Sequence, residues 1–275
     1  MKEICCEKLK ENKILYADVK VRMEYDFTSP ELKTLVERYR LNQLIDCNDF
    51  DTVKNMLDWV SESVLHRGNY DNSDSQDAIN LLEKAYKTQY GVNCLSLSII
   101  LCECLLAVGM RARVMYMMPE NVEDTDNHVV VEVFLQEMKK WIMLDPTYGS
   151  YCMNRDKEPL NLYELRNATI GGEEILFSEK INYNGDQNLD LDDIKSYYVK
   201  NLFFLRCKKH QGYGVHREYG DMLEIAPIRF SVQERMVANL KYRINLFGPY
   251  DIFLKWLEYE ENLENVYVDV DELYV

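Results

Sequence analysis

The stretch that decides the fold is residues 90–118, which read YGVNCLSLSIILCECLLAVGMRARVMYMM. The run that follows Cys94 is apolar on nearly every side, and Gly109 supplies a C-terminal stop. Such a run predicts a helix that is buried on most of its sides. Residues 110–118 first alternate and then become wholly apolar, which predicts a strand. Cys94 is therefore expected at the start of a buried helix.

A hairpin is predicted further along the chain. Residues 128–135, HVVVEVFL, are β-branched and aromatic, and residues 141–144, WIML, form a second apolar run that Asp145-Pro146 ends. The short polar turn between the two runs joins them as antiparallel neighbours. The start of the first strand then lies beside the end of the second. We therefore expect His128 and Asp145 to lie next to each other.

These three residues have the chemistry of a cysteine nucleophile with its base. A cysteine attacks as thiolate, and the free N–H groups at a helix start stabilise both that anion and an oxyanion on a substrate. Asp145 can hold His128 in the tautomer that faces Cys94. Taken singly, each residue has an ordinary structural interpretation, as a buried thiol, a structural histidine or a turn cap. Their joint pattern predicts a Cys–His–Asp site, on the assumption that the hairpin meets the helix start.

Three segments carry a family resemblance. GVNCLSLSIILCECLLAVGMRARVMYM, DNHVVVEVF and KWIMLDPTYG resemble the transglutaminase-like superfamily of papain-like cysteine enzymes. The resemblance covers about residues 90–149. The positions that match the family pattern are Cys94, Gly109 with Arg113, His128, and Trp141 with Asp145-Pro146-Thr147.

The resemblance implies a fold and a reaction. The fold is α+β, with a papain-like core in which the cysteine-bearing buried helix packs on an antiparallel sheet that carries the histidine and the aspartate. The reaction is acyl transfer from a peptide or protein amide through a thioester on Cys94, which water or an amine resolves. No metal or organic cofactor is implied. Relatives take a second oxyanion donor from a side chain upstream of the cysteine, and Gln89, Asn93 and Trp59 are the candidates here.

Several functions are compatible with this pattern. Hydrolysis is favoured over crosslinking, because most small members of the superfamily resemble peptidases. A non-catalytic binding module that retains the fold is one alternative. An arylamine N-acetyltransferase is another, although the Arg-Gly-Gly run typical of that enzyme is replaced by Tyr90-Gly91-Val92-Asn93 before the cysteine.

The rest of the chain predicts its organisation less sharply. Residues 1–180 are expected to form the catalytic domain, with a mainly helical opening part, and residues 181–275 an accessory region packed on it. Residues 14–25 alternate and predict a strand. Helices are predicted to begin near Pro30, Asp49 and Asp77.

Composition limits the partners and the compartment. The 275 residues are 47% apolar and 29% charged, with a net charge of -15, which disfavours nucleic acid and anionic membranes as partners. Because no apolar run follows the N-terminus, a cytoplasmic protein with reduced cysteines is expected. The remaining histidines, His66, His210 and His216, lie far from the motif in sequence and are expected on the surface or in loops.

Overall fold

The computed structural model describes residues 2–13, 21–263, 266–268 and 273–274. Two short 3-10 helices cover Leu41–Leu44 and Val215–Arg217. The α-helices in these ranges are α1 (Lys2–Glu11), α2 (Pro30–Tyr39), α3 (Asp49–Ser63), α4 (Ala78–Thr88), α5 (Cys94–Ala107), α6 (Leu162–Gly171), α7 (Leu191–Asn201), α8 (Val232–Phe247) and α9 (Asp251–Asn262).

The strands form one main sheet and two small ones. Their bounds are β1 (Glu24–Tyr25), β2 (Ala112–Met118), β3 (His128–Leu135), β4 (Lys140–Leu144), β5 (Cys152–Met153), β6 (Leu176–Phe177), β7 (Phe204–Lys208), β8 (His210–Gln211), β9 (Met222–Ile225) and β10 (Val266–Tyr267). Within the described ranges, the main sheet has the strand order β10-β9-β7-β2-β3-β4. Its neighbours are antiparallel except for β9 and β10, which run parallel.

The predicted hairpin is confirmed. Strands β3 and β4 pair antiparallel, with Val131 opposite Leu144 and Phe134 opposite Trp141. The first strand therefore begins at the edge of the sheet where the second one ends. That edge also receives the start of helix α5, which packs on β2 and β3.

Helix α5 is buried as predicted. All its residues from Ser96 to Leu106 are buried, and helices α2, α3 and α4 pack around it. Its apolar side chains form one core with the valines that β2 and β3 turn toward it, among them Val114, Val131 and Val133. A second core lies on the opposite face of the sheet, where side chains such as Met117, Val130 and Met143 meet helices α6 and α7. The fold class is α+β, as expected.

Other expectations have mixed outcomes. Helices α2, α3 and α4 begin at or next to the predicted residues. The strand expected over residues 14–25 falls partly on residues 14–20, which lie outside the described residues, and within 21–25 only Glu24–Tyr25 is a strand.

The boundary expected at residue 180 stays a prediction. Strands β7 and β9, which follow that boundary, pair with each other and with β2 in the main sheet. The C-terminal residues therefore extend the sheet that carries the hairpin. Within the described ranges, no helix combines the length and apolar character needed to cross a bilayer.

Candidate active site

Cys94 is the first residue of helix α5. Asn93 caps this helix, because its side chain accepts a hydrogen bond from the Ser96 N–H at 3.1 Å. The first N–H groups of the helix, on Cys94 and Leu95, have no acceptor within the helix. The cysteine is half-buried and lines a cleft of about 1240 Å³. Its sulfur therefore lies at the positive end of the helix dipole, within reach of a ligand.

His128 and Asp145 meet at the edge of the sheet where the hairpin strands begin and end. The Nε2 atom of His128 lies 2.6 Å from Oδ2 of Asp145, and both side chains are buried. The other carboxylate oxygen accepts the Thr147 N–H at 2.8 Å. With Nε2 occupied by the carboxylate, Nδ1 is the ring nitrogen left for the cysteine. The predicted proximity of His128 and Asp145 is therefore confirmed.

The three side chains shift each other's protonation. Burial raises the pKa of the Cys94 thiol, but its interactions with His128 and His66 outweigh burial and lower that pKa to about 7. Burial lowers the pKa of His128, whereas the charge and hydrogen bond of Asp145 raise it to about 10. The pKa of Asp145 lies below its usual value, because the His128 charge and the surrounding donors outweigh burial. These directions favour a thiolate beside an imidazolium near neutral pH.

The cleft beside Cys94 has a mixed lining. His128, Tyr148 and Tyr197 line it close to the cysteine, and Phe253 and Trp256 of helix α9 also belong to its lining. A cleft of this size accommodates several residues of an extended chain. Among the described residues there is no cluster of three or more His, Cys, Asp or Glu side chains placed to hold a metal ion.

Residues 40–146 match the family model of the transglutaminase-like superfamily. This part of the chain is a transglutaminase-like domain. The matched region contains Cys94, His128 and Asp145. Members of the superfamily are typically cysteine peptidases or acyltransferases, so the match of residues 40–146 supports a cysteine-based enzyme at the level of the family.

Further comparisons add little to this assignment. A provisionally named cysteine protease from Cytophaga hutchinsonii, solved at 1.9 Å, is similar in structure with a TM-score of 0.33 and 15% sequence identity. The likeness covers 55% of this chain and 48% of the other, so the chain spans about half the length of that protein. Among curated proteins, none matches the chain significantly in sequence.

The transglutaminase-like domain brings a second histidine to the cysteine. His66, expected on the surface or in a loop, is half-buried and lines the cleft beside Cys94. Its Nδ1 lies 3.1 Å from the Tyr183 hydroxyl, and the Asn184 side chain binds both its N–H and its carbonyl. A parallel bridge between His66 and Val92 holds this segment against the residues before Cys94. His66 lies in the loop between α3 and α4, as expected, but its place beside Cys94 was not predicted, because this contact joins segments that are distant in sequence.

Of the three candidate oxyanion donors, Gln89 and Trp59 are not among the residues that line the cleft, and the Asn93 amide is already engaged. Asn93 uses its amide for the helix cap and for Asn72 and the Tyr70 carbonyl. Gln89 is exposed at the end of α4, and Trp59 packs into the core, tilted against the Tyr39 ring. His66 is the side chain that the structure places at the cysteine instead.

The other two histidines have different environments. His210 is exposed and paired with Glu24 and Asp221, as expected for a surface residue. His216 is buried in the wall of the cleft, which the sequence did not predict.

A tyrosine completes the surroundings of the carboxylate. The hydroxyl of Tyr198, on helix α7, donates to Oδ2 of Asp145 at 2.6 Å, and its ring stacks 5.7 Å from that of His128. Asp145 therefore binds donors from His128, Thr147 and Tyr198, which leaves its buried charge well satisfied. Tyr198 is one of twenty tyrosines in the chain, and no spacing in the sequence marks it as a partner of Asp145.

Proposed function

We propose that the chain is a cysteine-dependent enzyme that transfers the acyl group of a peptide or protein amide through a thioester on Cys94. The observation that carries the proposal is the placement of the Cys94 sulfur. It lies at a helix start, beside an imidazole that is bound to the buried carboxylate of Asp145. The match to the transglutaminase-like superfamily supports the same class of enzyme.

The proposed reaction begins with attack of the Cys94 thiolate on the carbonyl carbon of the amide. A carbon–sulfur bond forms and the carbonyl electrons move onto the oxygen. Collapse of this intermediate breaks the carbon–nitrogen bond, and His128 gives its proton to the leaving nitrogen. Water or an amine then attacks the thioester, His128 accepts the proton of that nucleophile, and the thiolate leaves. Hydrolysis yields a carboxylic acid, whereas an amine yields a new amide.

The negative oxygen of the intermediate needs donors. The free N–H groups of Cys94 and Leu95 at the start of α5 are one source. His66 is our candidate for the second, because its ring lies at the cysteine and its segment is fixed by Asn184 and Val92. The Nδ1 bond to Tyr183 leaves Nε2 as the nitrogen that would face the substrate oxygen.

We favour hydrolysis over crosslinking, because most small members of the superfamily resemble peptidases. We expect no cofactor, because the family resemblance implies none. The cytoplasmic location and the absence of nucleic-acid or membrane partners also stay predictions from the sequence.

The test is turnover on a peptide mixture prepared from a denatured protein. Mass spectrometry would follow new amino termini and the conversion of glutamine to glutamate. We expect product with the wild-type chain and a loss of roughly a thousandfold or more in Cys94→Ala. Cys47→Ala, which removes an exposed thiol, is the matched control and should keep full activity. Equal product from the wild type and Cys94→Ala would contradict the proposal.

A further inference from the structure

A buried lysine lines the same cleft as Cys94. Lys208, the last residue of strand β7, is 7% exposed. Its ammonium donates to the Glu218 carbonyl at 2.7 Å, and among the described residues no carboxylate oxygen lies within 4.0 Å of it. The charges of Asp221 and Glu218 act on this ammonium from beyond ion-pair distance, but burial outweighs them and lowers its pKa. Burying an ammonium group without a direct counter-charge is unfavourable, so this position favours an anion.

A buried histidine lies near this lysine. His216 is 9% exposed, its Nδ1 lies 3.3 Å from the Tyr116 hydroxyl, and its Nε2 has no partner in the described structure. Burial, and then the positive charge of Lys208, lower the pKa of His216 to about 3, so the ring is neutral. If Tyr116 donates to Nδ1, the proton lies on Nε2, which is then an unused donor. A buried donor without an acceptor favours a ligand that supplies one.

The wall of the cleft connects these groups to the candidate nucleophile. Tyr116 lies on strand β2 next to Met117, the residue that pairs with His128. Tyr116 also pairs with Arg206 of strand β7. Arg206 lies two residues before Lys208, so the side chains of Arg206 and Lys208 lie on the same face of the sheet. Tyr116, His216 and Lys208 all line the cleft that contains Cys94. A substrate held at Cys94 can therefore extend across Tyr116 toward the lysine.

Two other cations of the cleft are already neutralised. Arg206 binds Glu224 and Glu260, and Arg217 binds Asp77. Their charges are compensated within the chain, which leaves less attraction for an outside anion. Lys208 differs from them because its bond goes to an uncharged carbonyl.

The remaining charges around the cleft do not favour anions in general. Arg243 is half-buried and donates to the Thr125 carbonyl and to Asn239. The exposed rim carries carboxylates, among them Asp71, Asp126, Asp190 and Asp193. A substrate carboxylate is repelled at this rim, and the charges of Asp124 and Asp126 also act on Arg243. Among the described lysines and arginines that line the cleft, Lys208 is the one that is buried without a carboxylate at ion-pair distance.

We propose that Lys208 and His216 form a subsite for a carboxylate of the substrate, so that the enzyme selects amides that carry an acidic group at one fixed distance from the scissile bond. This inference rests on the proposed function, because it takes the substrate to be bound at Cys94. The lysine supplies charge and the imidazole a directed hydrogen bond, with the aromatic rings of Tyr219 and Trp256 lining the same cleft. The acidic group is a glutamate or aspartate side chain, or a free C-terminal carboxylate.

The test measures binding apart from chemistry, in a Cys94→Ala background. The probes are fluorescein-labelled hexapeptides of alanine with a central glutamine and one glutamate, placed at each other position in turn. Each has a partner with glutamine in place of the glutamate, and a further pair compares a free with an amidated C-terminus. Fluorescence anisotropy gives the dissociation constants. We expect one pair in which the carboxylate binds roughly tenfold more tightly, the preference typical of a charged hydrogen bond.

Variants assign that preference to the subsite. Lys208→Met should abolish it, Lys208→Arg should keep most of it, and His216→Phe should reduce it. Lys241→Met, which removes an exposed lysine on α8 outside the cleft, should leave it unchanged. The thermal unfolding of each variant shows whether it is folded. If Lys208→Met does not fold, the preference for the carboxylate in Lys208→Arg and in His216→Phe, compared with that of the parent protein, decides whether the subsite exists.

Three results would overturn the subsite. They are no binding of any peptide, equal affinities within every pair, and a preference for the carboxylate that survives the loss of Lys208 or of both Lys208 and His216. None of them affects the reactivity of Cys94, which is measured separately with the wild-type chain. Failure of the subsite and failure of the proposed function are therefore distinguishable.

Discussion

The Tyr198 hydroxyl lies 2.6 Å from Oδ2 of Asp145, the same oxygen that binds the His128 ring. This bond ties helix α7 to the end of the hairpin. It also holds a buried carboxylate in the orientation in which it meets the imidazole. Tyr198 touches neither the sulfur nor the cleft, so we regard it as a residue that positions Asp145.

Loss of this hydroxyl should weaken both the fold and the site. In Tyr198→Phe the buried carboxylate loses a charged hydrogen bond, which typically contributes about 1.5–3 kcal/mol to the free energy of unfolding. Because the anion is then less stabilised, the pKa of Asp145 should rise, and the pH profile of Cys94 alkylation should shift with it. Tyr163→Phe, on helix α6, is the matched control. An unchanged pH profile together with a normal rate would show that the bond has only a structural role.

His66 should act on turnover rather than on folding. Removing an oxyanion donor typically lowers kcat by about 10² to 10³. We expect that loss in His66→Ala, with partial recovery in His66→Gln, which keeps a donor. Because His66 also lowers the pKa of Cys94, alkylation in His66→Ala should need a higher pH. Steady-state kinetics on the best peptide substrate check the first effect, and full activity of His66→Ala would exclude His66 as the donor.

Gly91 should be required for the close approach of two segments. A Cβ atom at this position would lie 2.8 Å from the Leu65 carbonyl oxygen, so the bridge between His66 and Val92 would have to open. Overpacking of this kind typically costs about 1–3 kcal/mol. Gly91→Ala should therefore lower the unfolding temperature and slow the reaction of Cys94 together. Gly68→Ala, whose Cβ would meet His66 only at an ordinary 3.7 Å, serves as the control.

Acid should weaken the fold partly through Asp77. Burial raises the pKa of this carboxyl, but hydrogen bonds from Ser75, Tyr213 and the Asn80 backbone outweigh burial and lower it to about 2. Because its pKa is lower in the folded state, the ionised Asp77 carboxylate stabilises the fold at pH values above 3.8, its pKa in the unfolded chain. That stabilisation is lost as the pH falls toward 2.

Asp77→Asn tests this linkage. The variant should be less stable at neutral pH, and its free energy of unfolding should fall less steeply between about pH 4 and 2. Chemical denaturation at several pH values measures both effects. Asp156→Asn, in an exposed loop, should change neither. Parallel acid profiles for the wild type and Asp77→Asn would show that Asp77 is not the group responsible.

The sequence predicted what depends on local pattern. The apolar run after Cys94 marks helix α5, and the hairpin register follows from strand lengths and the short turn, so the contact between His128 and Asp145 could be predicted without coordinates. Contact between the hairpin and the helix start had to be assumed, because it depends on how α5 packs on the sheet.

The surrounding residues could not be predicted, for the same reason. His66 reaches Cys94 through a single bridge between distant segments, and Tyr198 reaches Asp145 from a helix more than fifty residues further on. Neither contact leaves a periodic trace in the chain. Gly91 is the one local hint, since a glycine before the nucleophile permits a close approach of backbone.

The central claim is that His128 holds Cys94 as a thiolate near neutral pH. The most direct measurement is the rate of Cys94 alkylation by iodoacetamide across a wide pH range, with each cysteine followed by mass spectrometry. We predict a midpoint at about pH 7, against 9.0 for an ordinary thiol. In His128→Gln the midpoint should rise, because burial raises the pKa of Cys94 and the imidazole that lowers it is gone. The exposed Cys47 is the internal reference. A Cys94 midpoint near that of an ordinary thiol, unchanged in His128→Gln, would contradict the account.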